Sequence, residues 1–134
     1  MTTTIAHLAD RIGMTLDDHL DTDEIMPVRT GPFAQGDLLC IPLDIKPPTG
    51  GVTVGPKGQA IIEGTHDHVL VADPGTCRWI AGAGKSTLSI GVIVADTPVH
   101  LLHAEHGGHC LAAGVWEMRG QREDSREGQR RVID

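Results

Sequence analysis

Hydrophobic positions change their period along this chain. From Thr4 to Ile12 the apolar residues Ile5, Leu8, Ala9 and Ile12 recur at helical spacing, with Thr4 as cap and Gly13 as stop, which predicts a short amphipathic helix. A second helical turn is expected from Thr15, where Leu16, Leu20 and Met26 are apolar among Asp17, Asp18, Asp21, Asp23 and Glu24, with Pro27 ending it. From Gly36 onward the apolar runs shorten and turn residues separate them, the mark of β structure.

Strands are predicted over 37–43, 59–63, 67–72, 77–80, 86–95, 99–103 and 115–119, with at most a brief one at 52–54 inside the Pro- and Gly-rich loop 46–58. Pro42 places the first at an edge or a bulge, because proline has no N–H for the ladder. In 86–95, Leu88, Ile90, Val92 and Val94 alternate onto one face, while Ile93 on the other implies burial from both sides. About seven strands and one or two short N-terminal helices make the expected fold all-β, a small sandwich or barrel. The chain divides into an N-terminal helical extension (1–34), a β domain (35–120) and a polar C-terminal tail (121–134).

Composition narrows the function classes. A length of 134 residues fits one domain, and with only Trp79, Trp116 and Phe33 aromatic, the core must be aliphatic. The net charge of −7 argues against a nucleic-acid binder; the arginines of the tail are interleaved with acids, as on a solvated face. Cys40, Cys77 and Cys110 form neither a disulfide framework nor a zinc ribbon, so buried thiols in a reducing cytoplasm are expected. No stretch reads as an export signal or a membrane span, so no membrane partner is expected.

Ala81-Gly82-Ala83-Gly84-Lys85-Ser86-Thr87 imitates a phosphate-binding loop but fails its pattern. Trp79 stands where the first glycine is needed, and a strand follows where a helix is required, so a hairpin connection is the reading. The acidic run 17–24 lacks the glycine and terminal glutamate of a calcium loop and reads as a solvated face.

The chemistry concentrates in histidine. His100, His103, His106 and His109 follow one another at three-residue intervals around Glu105, and His66 and His68 flank Asp67 upstream. Neutral imidazole is a common ligand for Zn, Cu, Fe and Ni, and a His-x-His pair on a strand puts both rings on one face. With 99–102 a strand and 104–108 a turn, His103 and His106 should converge, while His100 and His109 face solvent. The expected site is therefore a divalent transition metal, zinc by default, on His66, His68, His103 and His106, with Glu105 assisting as ligand, orienter or base. The ordinary alternative is a set of surface or hydrogen-bonded histidines. No nucleophile emerges from the sequence.

Four segments together resemble an uncharacterised family of small β-rich bacterial proteins: Gln35-Gly36-Asp37-Leu38-Leu39-Cys40-Ile41-Pro42-Leu43-Asp44, Glu63 to His68, Leu102 to His106, and Gly114 to Glu123. They are similar to that family's QGDxLLxPxD, GHxH, HxEH and QRE motifs, in the same order. The resemblance implies that His66, His68, His103 and His106 are motif positions, with Gln121, Arg122 and Glu123 as a second element, and that His100 and His109 lie outside it. Where the family has tyrosines, this chain has Trp116 and Asp124. The rival functional expectation is a non-catalytic assembly subunit, a shell, ring or virion decoration protein, which would form a homo-oligomer or larger assembly.

Overall fold

The computed structural model describes residues 4–18, 20, 25–62, 67–82, 88–125 and 128–132, with residues 62, 121–125 and 128–132 described as backbone. The helix forms as its pattern dictates. α1 (Ile5–Ile12) is capped by the Thr4 side chain, which accepts from the His7 N–H, and ends at Gly13 in the left-handed region, φ 75°. Of the expected second helix, residues 15–18 run as irregular chain and a turn, while 19 and 21–24 lie outside the described residues. Leu16 instead packs beside α1 in irregular chain, and the Asp17 N–H bonds the Ala104 carbonyl at 2.8 Å.

Twelve strands follow among the described residues, more than the seven expected. They are β1 (Val28–Arg29), β2 (Phe33–Gln35), β3 (Leu38–Leu43), β4 (Val52–Thr53), β5 (Gln59–Ile62), β6 (His68–Val71), β7 (Cys77–Ala81), β8 (Ser89–Ala95), β9 (Val99–His103), β10 (Gly107–Leu111), β11 (Gly114–Ser125) and β12 (Gly128–Val132). One sheet runs β1-β10-β9-β6-β5; the other runs β2-β3-β11-β8-β7-β4, with β12 paired to the far end of β11. Among the described residues the strand pairings are antiparallel except β1 with β10.

The sheets stack as a sandwich around one aliphatic core. Leu38, Cys40, Trp79, Ile93, Trp116 and Met118 come from one sheet, and Ile61, Leu70, Val99, Leu101 and Leu111 from the other. Each large side chain buried there contributes on the order of 1.5–3 kcal/mol. The outer face of the five-stranded sheet is apolar too, and α1 covers it: Ile5, Leu8 and Ala9 pack on Val69, Val71, Leu102 and Cys110. Much of that sheet is therefore buried on both faces. A third cluster of Val92, Val94 and Val115 lies on the outer face of the larger sheet. Next to it, Arg78 donates to the carbonyls of Pro48 (2.9 Å) and Gly50 (2.6 Å) and ties down the 46–51 loop.

Two expectations about individual strands are refined. Pro42 lies in β3 beyond the point where β2 has ended, paired there with Trp116 of β11 and, among the described residues, with no strand on its other side. In β8 a bulge opposite Met118 and Arg119 breaks the alternation, so Ile90 packs against the main core while Val92 and Val94 point the other way. The phosphate-loop look-alike joins antiparallel β7 and β8 as a hairpin, with the Gly82 N–H on the Ile90 carbonyl; residues 83–87 themselves lie outside the described residues. Among the described residues, no helix is long and apolar enough to cross a membrane.

Candidate functional site

Strand pairing brings the two distant histidine motifs together. In the β6–β9 ladder His68 stands directly opposite His103, and both side chains point with Leu70 and Leu101 into the space between the sheets. Their ring centroids are 4.4 Å apart with the planes tilted 44°. His103 closes β9 against Gly107 of β10, leaving Ala104, Glu105 and His106 as the hairpin loop, and Gly107 takes the positive φ of 84° that such a turn needs. The His106 ring folds back to 4.4 Å from that of His103. The result is a stack of three imidazoles running from two fully buried rings, His68 and His103, to an exposed one, His106.

Hydrogen bonds fix what each buried ring can do. Nδ1 of His103 accepts the backbone N–H groups of Glu105 and His106, both at 3.1 Å, so this nitrogen carries a lone pair and the neutral ring bears its proton on Nε2. His103 thereby holds the turn, a structural duty that also makes it a poor metal ligand, since a metal on Nε2 would have to displace that proton. His68 is the converse. Its Nδ1 lies 2.9 Å from Oε1 of Gln35, a buried side chain whose Nε2 donates to the carbonyls of Leu101 (2.9 Å) and Gly107 (3.0 Å). His68 therefore donates through Nδ1, leaving Nε2 as its basic nitrogen when neutral. A ring N–H held by a carbonyl is the outer-shell support that a metal-bound histidine uses.

The remaining expected site residues are distributed unevenly. Glu105 is exposed on the loop and reaches the stack through its backbone N–H. His66 lies outside the described residues, and so do the side chains of Gln121, Arg122 and Glu123. His100 and His109, expected to face solvent, are half-buried. His109 accepts from Nε of Arg29 at 3.0 Å and stacks on Phe33 at 4.7 Å; burial and the adjacent guanidinium pull its pKa down to about 4. The pKa of His100 is also lowered, by burial first, with Asp73 opposing that and Arg11 adding to it. Among the described residues no group of three or more His, Cys, Asp or Glu is placed to hold a metal.

Burial pushes the thiols of Cys40 and Cys77 up to about 12 and also raises Cys110; all three are free and buried, as the sequence led us to expect. The sequence reading missed Gln35 and Glu117. Glu117 is fully buried on the outer face of the larger sheet and is bound by the Arg119 guanidinium, with Nε at 2.7 Å. The signal for Gln35 was present: Gly36, with φ 58° and a two-residue loop to Leu38, sets the β2–β3 register that turns residue 35 inward. A cleft of about 520 Å³, lined by Met14, Lys57, Asp67 and Val69, opens on the opposite face of the five-stranded sheet from the imidazole stack.

Comparison with known proteins places the chain in a family. Residues 34–121 match the family described as "Domain of unknown function (DUF8820)", nearly the span over which the motif resemblance runs. No curated protein and no solved structure matches.

Proposed function

The chain belongs to the DUF8820 domain family, and on that premise we propose that it holds a divalent transition metal ion, zinc by default, at the histidine end of its sandwich. The observation that carries this reading is the 2.9 Å contact of His68 Nδ1 with the fixed Gln35 carbonyl, which sets Nδ1–H and makes Nε2 the coordinating atom. His66, two residues upstream, is its partner ligand. His106, set apart from His68 by the His103 ring in the stack, is the third once its exposed side chain turns towards them. His103 supports the turn in this reading and does not coordinate, and Glu105 beside His106 is the carboxylate that assists. The metal would supply charge and, with a position left for water, a Lewis acid. In this reading the His66/His68 and His103/His106 motifs are what relates the chain to small bacterial members of its family, and the buried reduced thiols suit a cytoplasmic setting.

Cobalt titration of the untagged protein tests the proposal. Visible absorption typical of a low-coordinate imidazole site is expected, lost in His68→Ala and His66→Ala but kept in His100→Ala. A protein that takes up neither cobalt nor zinc at micromolar concentration overturns it.

A second reading, self-assembly, is favoured by exposed apolar residues on the short strands that end each sheet. Val28 on β1 is 53% exposed and Val52 on β4 is 52% exposed. Unprotected edges are templates for another copy of the chain. Light scattering decides this one: a concentration-independent monomer that Val28→Lys and Val52→Lys leave unchanged removes it.

A further inference from the structure

We infer that Gln35 is the positioning residue of the histidine centre: it selects the tautomer of His68 and so decides which nitrogen can coordinate. The inference deepens the metal reading and rests on it for its purpose, though its test does not. A glutamine amide offers two N–H donors and one carbonyl acceptor. Both donors of Gln35 are spent on carbonyls from adjacent strands, Leu101 of β9 and Gly107 of β10. Turning the amide over would set Oε1 against two carbonyl oxygens in a dry interior, so the orientation is fixed.

With the orientation fixed, Oε1 faces Nδ1 of His68 at 2.9 Å and can only accept. The proton therefore sits on Nδ1. The same two carbonyls belong to the hairpin whose turn holds His103 in the opposite tautomer, so a single backbone element sets the proton positions of both buried rings. Gln35 touches no ligand in this scheme. It acts through His68, as an outer-shell carbonyl orients and enriches a coordinating imidazole.

The test is long-range proton–nitrogen correlation NMR on ¹⁵N-labelled, metal-free protein. In the wild type, His68 should show a pyrrole-type Nδ1 and a pyridine-type Nε2, with His103 reversed in the same spectrum. In Gln35→Met, which keeps the length but has no N–H donors and only a weakly accepting sulfur, His68 should move to the other tautomer or to a mixture. Zinc affinity should fall roughly 10- to 100-fold. Loss of stability alone would fit a merely structural glutamine, so the tautomer is the deciding readout. A wild-type His68 protonated at Nε2, or a Gln35→Met protein in which His68 keeps Nδ1–H undiminished, overturns the inference. The wild-type measurement stands even if the variant fails to fold. Expected tautomers in a protein that binds no zinc would uphold Gln35 as the selector and discard the metal reading alone.

Discussion

His68 and His103 are directly opposed across the β6–β9 ladder, their rings 4.4 Å apart, and their neighbours put the ring proton on opposite nitrogens. One ring offers a basic Nε2 and the other an Nε2–H. Two interior histidines of one tautomer would be interchangeable; these are not, and the difference comes from a glutamine on one side and a hairpin turn on the other.

Replacing His103 should therefore damage the fold first. His103→Ala removes a fully buried ring and the acceptor for two N–H groups, an expected loss of about 2–4 kcal/mol in urea unfolding. His103→Asn, whose side-chain oxygen can still accept from the turn, should recover part of it. Equal losses in the two variants would contradict the capping role.

Acid should weaken the protein through His109. Its pKa in the fold is held at about 4, below the ordinary histidine value of 6.5, by burial and by Arg29. The unfolded chain then binds the proton more readily, so this contribution is fully present above pH 6.5 and is lost as pH falls through about 4. Thermal melts between these limits should show a smaller pH slope in His109→Phe than in the wild type. An unchanged slope would contradict the assignment.

The thiols should behave in the opposite sense at alkaline pH. Cys40 and Cys77 are raised in the fold from 9.0 to about 12, so the folded state holds their protons longer than the unfolded chain does. That contribution is complete below the unfolded thiol range and disappears as pH rises towards 12. At pH 8, a disulfide reagent should find the three free cysteines inert in native protein and titrate all three in denaturant. A fast-reacting thiol in the native state would refute their burial.

Gly91 should resist any side chain. A Cβ there would come within 2.5 Å of the Trp79 ring and 2.6 Å of the Ile80 carbonyl, one of them backbone that cannot step aside. Gly91→Ala should cost about 1–3 kcal/mol, read as a lowered unfolding midpoint. A neutral effect would mean that β7 and β8 do not pack as closely as described.

The parts of this structure that sequence made legible are those where hydrophobic period and burial coincide. α1 declared itself through its spacing and caps, and the β9 turn was placed because His103 to Gly107 changes abruptly from apolar to small and polar. β10 was hidden because Gly107-Gly108 reads as loop. In the fold Gly108 is a strand position packed against Met26, whose Sδ a Cβ there would approach to 2.6 Å. β12 was hidden because nothing in Gly128–Val132 carries a burial signal. At the site, convergence of the histidine motifs could be guessed from alternation; for Gln35 the turn at Gly36 signals the inward register alone, while its burial depends on partners 66 and 72 residues away.

Metal content is the most direct test of the central claim. Untagged protein purified without chelators, and the His66→Ala/His68→Ala double variant beside it, would be measured by elemental analysis after confirming that both are folded. The account expects one divalent ion per chain in the first and none in the second; no metal in either, or as much in the variant as in the wild type, would contradict it.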